Sequence, residues 1–442
     1  MTFDRRSLLA GAGAAAAMVA TPAWAAKAKP KPTNPVFPQG FLWGTATAGH
    51  QVEGNNVNSD TWLLENVKPS LFAEPSGDAI NSFELWPQDM DLVKGLGLNT
   101  YRFGIEWARI EPEPGAFSIA MLDHYKAMIE GCRARGLIPM VTFNHFTTPR
   151  WFAAQGGWTN DQSPRLFARY CDRAARHLGA GIGYATTLNE PNLMNVLALI
   201  LPPQVWAVNK AMTEAAARAS GSTKFSAANA ANAEDVAAMT ANMIAGHKAG
   251  RAAIKAVRPD LPVGVSLAMM DDQAVGKDSL RDAMRARLYG PWLAAVRGDD
   301  FLGVQNYERS VWDAKGKLPP PAGAKLNYSG AEVYAPSLAG AVRYAHEATG
   351  VPIIVTEHGV GTDDDTIRAA LIPAALAELK KAMDEGVPVK GYVHWSLADN
   401  FEWIFGYKVH FGLHSVDRTT FQRTAKPSAA VFAAIARRNA LS

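Results

Sequence analysis

Apolar residues along this chain fall into two alternating rhythms. Short runs rich in β-branched and aromatic residues are each followed by a longer stretch whose apolar positions recur every three or four residues. The runs predict strands at 41–47, 99–104, 138–143, 184–189, 263–268, 301–306, 353–357 and 391–396. Between them, segments such as "MLDHYKAMIEGCRARG" (121–136) and "SPRLFARYCDRAARHLG" (163–179) predict amphipathic helices. In the second, Ser163 reads as the N-cap, Pro164 as the first helical residue and Gly179 as the stop. Eight strand–helix alternations over residues 37–442 fit a single (β/α)8 TIM barrel, although a doubly wound open sheet shares the alternation. Two regions break the rhythm. Residues 204–245, rich in Ala, Asn, Ser and Thr, predict helix plus loop, and 314–330, with three consecutive prolines, predicts loop.

Composition narrows the functional classes. A hydrophobic share of 48% over 442 residues is enough for one large core. The charged share is 19% and the formal net charge only +3, so no field points to nucleic acid or an anionic membrane as partner. Residues 1–25 read as a cleavable signal of twin-arginine type. Arg5 and Arg6 precede a mild apolar run that ends in the small-residue pattern Ala23-Trp24-Ala25. The run is too short and too rich in Ala and Gly to span a bilayer, so export, to the periplasm in a host with an outer membrane, is the expectation. Residues 26–36, Lys/Pro-rich, read as an extended tether. The two cysteines, Cys132 and Cys171, lie on apolar helix faces and read as buried free thiols, with a disulfide as the alternative. The His and Cys positions form no metal-ligand pattern, and no cofactor is implied.

In such a barrel the chemistry sits at the C-terminal ends of the strands, and the unusual polar residues fall there. The second strand carries Arg102, the third ends in Asn144-His145, the fourth in Asn189-Glu190 and the seventh in Thr356-Glu357. The sixth ends near Tyr307, and the eighth leads through Trp395 into Asp399, Asn400, Glu402 and Trp403. Two carboxylates without metal ligands suit cleavage of a glycosidic bond, one protonated and one ionised. Arg102 and Tyr307 beside Glu357 would keep it ionised, while repulsion from Glu357 would keep the proton on Glu190.

Five motifs in order carry a resemblance. "FPQGFLWGTATAGHQVEG" (37–54), "YRFGIEWARIEP" (101–112), "TLNEPN" (187–192), "VTEHG" (355–359) and "WSLADNFEW" (395–403) resemble glycoside hydrolase family 1, the retaining β-glucosidases and their relatives. The likeness extends through "GYKVHFGLHSVD" (406–417). It implies Glu190 as acid/base and Glu357 as nucleophile in a double displacement. Gln51, His145, Asn189, Glu402 and Trp403 would bind the sugar hydroxyls, Trp395 would lie beneath the ring, and Arg102 and Tyr307 would orient the nucleophile. The substrate implied is a small glycoside or oligosaccharide with a terminal β-linked glucose. Glu402 excludes relatives acting on 6-phosphorylated sugars, because it would repel the phosphate. Glu53 and Glu106 read as structural.

The departures from the family pattern are local. His358 stands where Asn is usual, Phe146 where Trp is common, and "GVQNYER" replaces the usual Asn-Tyr-Tyr pattern while keeping Tyr307. After Asn192 comes "LMNVLALILPPQVW", strongly apolar, where a Gly/Pro-rich loop is usual. It reads either as a core helix or as an apolar leaving-group site built on residues such as Met194 and Leu197. Two rival functions use the same residues: transfer of the glycosyl unit to an acceptor other than water, and glycan binding without catalysis.

Overall fold

All eight predicted strands form, and they close into a parallel barrel in the order in which they occur along the chain. In the computed structural model, which describes residues 35–442, they are β1 (Leu42–Ala46), β2 (Thr100–Gly104), β3 (Ile138–Asn144), β4 (Tyr184–Asn189), β5 (Val263–Ala268), β6 (Leu302–Asn306), β7 (Ile353–His358) and β8 (Val389–Trp395). β8 returns to β1, with Leu42 opposite Gly391 and Ala46 opposite Trp395, so the sheet has no open edge. Closure excludes the doubly wound alternative.

Alternation along the strands builds two cores. Leu42, Met140, Phe301, Ile354 and Val393 fill the barrel interior, while Ile353, Val355, Val263 and Val265 face the surrounding helices. Helices Ser163–Leu178 and Val236–Val257 pack closely, and a Cβ on Gly250 would stand 2.8 Å from the Phe167 ring. Cys171 lies at this contact and Cys132 on helix Ile119–Ala134; both are buried free thiols, as expected. Burial pushes the Cys132 thiol up to about 12, so it stays unreactive.

Several local expectations shift. Ser163 lies inside its helix, and the cap position falls to Gln162, whose amide is held by Asn160 Oδ1 at 2.9 Å. Asn160 thus organises the turn, while Gly179 ends the helix as expected. Residues 204–245 resolve into helix Pro203–Ala219, a loop and the start of helix Val236–Val257. Residues 314–330 hold only isolated bridges. A parallel pair at the rim, Asp271–Ala274 with Arg309–Trp312, carried no sequence signal strong enough to predict.

The expected signal, residues 1–25, and residues 26–34 of the expected tether lie outside the described residues. The last two tether residues, Pro35 and Val36, are tied to the C-terminal end of the chain. Pro35 accepts a hydrogen bond from the Leu441 amide at 3.0 Å, and Val36 bridges Ala440. Among the described residues, no helix is long and apolar enough to cross a membrane.

Candidate active site

Two bulges aim the central residues. On β7, Ile353 and Val355 face the outer helices, so strict alternation would turn Glu357 outward as well. The register slips by one residue instead: Val304 pairs with Val355, but Gln305 pairs with Glu357. On β4 the same thing happens. Thr187 points out to His247 at 2.7 Å, and a shift between Thr186 and Asn189 brings Asn189 inward. Each bulge re-aims a side chain into the barrel mouth. Gly359 permits the β7–β8 approach there, since a Cβ would meet Trp395 O at 2.2 Å.

Glu357 is then clamped from three sides. Arg102 Nη1 donates to its Oε1 at 2.6 Å, Gln305 Nε2 to the same oxygen at 2.9 Å, and Tyr307 OH to Oε2 at 2.6 Å. Arg102 and Gln305 also both donate to Asn189 Oδ1. Burial raises the Glu357 carboxyl above its ordinary value, and Arg102, Tyr307 and Gln305 pull against that rise. Burial beside Glu357 keeps the Tyr307 phenol protonated and therefore a donor.

Glu190, one residue beyond β4, is treated differently. Its backbone sits at φ 42°, in the left-handed region, and its amide donates to Ser266 O at 2.8 Å. Its carboxyl makes no hydrogen bond to any described residue. Burial raises it well above the carboxylate range, Glu357 and Glu402 add to the rise, and Arg102 opposes it. Two other cavity residues share the left-handed region, Phe146 at 66° and Trp403 at 50°.

The remaining predicted residues converge on the same cavity of about 310 Å³, which Gln51, His145, Asn189, Glu190, Glu357, Trp395, Glu402 and Trp403 line together with Tyr307. Gln51 Nε2 donates to Asn400 Oδ1 at 3.1 Å, to Phe401 O at 2.8 Å and to Glu402 Oε2 at 3.3 Å. Burial, with Glu357 nearby, pushes the Glu402 carboxyl up to about 8. Burial and the Arg102 charge hold His145 neutral, so its Nε2 accepts from Asn189 Nδ2 at 3.1 Å. The His145 ring stacks along Trp395, 5.7 Å between centroids at 25°, and along Trp403 at 6.3 Å and 16°. Arg102 lies beneath, fully buried.

The departures find physical explanations. His358 turns away to Tyr392 OH at 2.8 Å, and burial lowers it to about 3, so it is neutral and leaves the hydrogen bonding of Glu357 to others. Phe146 packs edge-on against Trp403 at 5.3 Å. The segment after Asn192 is helix Leu193–Ile200, whose Leu193, Val196 and Leu197 line the cavity together with Met270, Phe411, Glu308 and Ser329. Met194 belongs instead to the outer core. Glu106 is structural, bonded to the His50 amide, Asn56 and Thr147, and so is Glu53, bonded to Arg109 and Tyr125.

Gln305 was missed. Its signal was a polar amide inside a strand, two residues before Tyr307, where an apolar residue would serve a core. Met269, Met270 and Phe411, which complete the apolar mouth, come from loops whose placement no local pattern predicts.

A barrel that gathers a buried and a half-buried carboxylate, side-chain amides and flat indole faces at its strand ends has the groups that cleavage of a glycosidic bond requires, and the class is glycoside hydrolase. The family model for glycosyl hydrolase family 1 matches residues 33–286 and 327–441. The chain belongs to that family. It is 28% identical to a β-glucosidase of Agrobacterium sp., over 90% of this chain and 95% of that one. A β-galactosidase of Pyrococcus woesei is 26% identical, over 92% and 98%. Among solved structures, β-glycosidase BGL167 is 46% identical with a TM-score of 0.87, covering 92% of this chain and 98% of its own. β-Glucosidase 1317 is 40% identical with a TM-score of 0.87, covering 90% and 98%. The stretch outside the family match, 287–326, contains β6 with Gln305 and Tyr307.

Proposed function

We propose that this enzyme is a retaining β-glycosidase that removes a terminal β-linked glucose, or a close epimer, from small glycosides, with Glu357 as nucleophile and Glu190 as acid/base. The observation that carries this reading is the unequal surroundings of the two carboxylates. Glu357 receives donors from Arg102, Gln305 and Tyr307, which favour its ionised form, whereas Glu190 has burial and the negative Glu357 beside it, which favour its protonated form. A carboxylate oxygen of Glu357 attacks the anomeric carbon as its bond to the leaving oxygen breaks, and Glu190 gives that oxygen its proton. Water then attacks the glycosyl ester, Glu190 takes the water's proton, and Glu357 leaves as carboxylate. Gln51, Asn189, His145, Glu402 and Trp403 would read the sugar hydroxyls, and the Trp395 indole would cover the ring.

The apolar mouth formed by Leu193, Val196, Leu197, Met270 and Phe411 favours a hydrophobic leaving group over a second sugar. The same surface favours a second reading, transfer to an alcohol. Product analysis with added alcohol separates transfer from hydrolysis.

The test of the reading is turnover of an aryl β-D-glucoside by the wild type and by Glu357→Gly with azide. Rescue that yields the α-glycosyl azide supports it. A wild type inactive on gluco-, galacto- and fuco-configured aryl glycosides would favour a glycan-binding protein or an enzyme of narrow specificity instead. We further infer export through the Arg5-Arg6 segment, and the mature N-terminus, read by mass spectrometry, should follow Ala25.

A further inference from the structure

Gln305 stands where the family's Asn-Tyr-Tyr pattern has its Asn, two residues before Tyr307. It lies in the stretch that the family match omits, yet it is buried at the centre of the site, with 1% exposure. Its Nε2 carries two hydrogens, and two acceptors are in reach: Asn189 Oδ1 at 2.7 Å and Glu357 Oε1 at 2.9 Å. Arg102 donates to the same two oxygens. The four side chains therefore close a ring, Arg102–Glu357–Gln305–Asn189, with both donors on opposite sides of both acceptors. The amide cannot be turned over, because Oε1 would then face two oxygens with no proton between them. In the observed orientation Oε1 makes no hydrogen bond to any described residue.

The ring treats the two oxygens of Glu357 unequally. Oε1 holds two donors, Oε2 only the Tyr307 hydroxyl. An oxygen with two fixed donors is the poorer nucleophile and the better place for the carbonyl end of an ester.

We propose that Gln305 is a positioning residue that pins Glu357 Oε1 as the non-attacking oxygen, leaves Oε2 to form the glycosyl ester, and ties the nucleophile to Asn189, the neighbour of Glu190. This rests on the nucleophile assignment made above. The ring also acts on ionisation. The charged or titratable groups facing Glu357 are Arg102 from β2, Glu190 from the end of β4, Tyr307 after β6 and Glu402 after β8. The Gln305 amide bonds the ionised form more strongly than the protonated one, so its loss raises the pH at which Glu357 gives up its proton.

The experiment compares wild type, Gln305→Met and Gln305→Asn. Methionine keeps the length without donors, and asparagine keeps an amide one methylene shorter. The readouts are the rate of covalent labelling by a 2-deoxy-2-fluoroglucosyl fluoride, the labelled peptide, and the acidic limb of kcat/KM. Wild type labelled at Glu357 upholds the nucleophile. On that footing, Gln305→Met should label about tenfold to hundredfold more slowly, the range for losing a hydrogen bond to a charged group. Its acidic limb should move to higher pH, and Gln305→Asn should fall between. Folding is checked by thermal unfolding, and if Gln305→Met does not fold, the Asn variant decides by the same two readouts. A folded variant that labels at the wild-type rate with an unmoved acidic limb overturns the proposal. Labelling of the wild type at another residue overturns the nucleophile assignment and, with it, the role given to Gln305.

Discussion

The floor and the mouth of the cavity are built on opposite principles. The floor consists of side chains from strand ends, each fixed by hydrogen bonds to others: Arg102, Gln305, Tyr307, Asn189 and His145 around Glu357. The mouth consists of Leu193, Val196, Leu197, Met270 and Phe411, which come from a short helix and loops and offer shape without directional contacts. A rigid polar floor can discriminate between sugar epimers, because a misplaced hydroxyl leaves buried groups unpaired. An apolar mouth can only grade leaving groups by size and hydrophobicity, at about 1–3 kcal/mol per methylene-sized difference. Under the proposed roles the two parts divide the labour: the hydrogen-bonded groups read the sugar, and the apolar mouth tolerates a range of leaving groups.

The harshest break is in the floor. Glu357→Gly should cut kcat by at least about 10⁴-fold, restored in part by azide, and a smaller loss without rescue would remove the nucleophile from β7. Next comes the carboxyl without donors. Glu190→Gln should cost about 10²–10⁴-fold with a leaving group of high pKa and much less in glycosylation with dinitrophenolate, which needs no proton. Equal losses on both would deny Glu190 its acid role.

The pH profile follows from the same contrast. Under the proposed roles glycosylation needs Glu357 ionised and Glu190 protonated, so kcat/KM should fall at low pH through the Glu357 carboxyl and at high pH through the raised Glu190 carboxyl. In Glu190→Gln, assayed with dinitrophenyl glucoside, the alkaline limb should disappear while the acidic limb stays.

At the mouth the effects are smaller. Leu197→Asn should raise KM for aryl glucosides about threefold to tenfold and change cellobiose hydrolysis less. Met194→Asn should instead lower stability with no change in selectivity, because Met194 is buried in the outer core. If the two variants behave alike, the mouth has no selective role.

The smallest effect is on stability. Burial and Glu357 raise the Glu402 carboxyl from 4.5 to about 8. Between those values the folded protein holds a proton that the unfolded chain has released, so this group's contribution falls as pH rises through that window. Glu402→Gln has no such dependence. Its Tm should exceed that of wild type by about 2 °C at pH 9 and show little advantage at pH 5. Parallel Tm curves for the two proteins would mean that Glu402 is ionised in the free enzyme.

By itself the sequence determined the eight strands, their alternation with helices and the rim where the polar residues collect. Those features depend on local periodicity, and a strand end is legible wherever an apolar run meets Asn-Glu or Thr-Glu. Motif order was enough to single out Glu190, Glu357, Gln51, His145, Asn189, Glu402, Trp403, Trp395, Arg102 and Tyr307, and the structure brings all of them to one place. What only the tertiary structure decided is orientation. A period of two would send Asn189 and Glu357 outward, and single-residue bulges against β5 and β6 turn them in. Such a slip is set by the pairing of two strands, so neither strand carries it alone. Gln305 and the split of "LMNVLAL" into a core-facing Met194 and mouth-facing Leu193, Val196 and Leu197 were hidden for the same reason. Which face of a short segment is buried depends on what packs against it, and that partner lies far away in the chain.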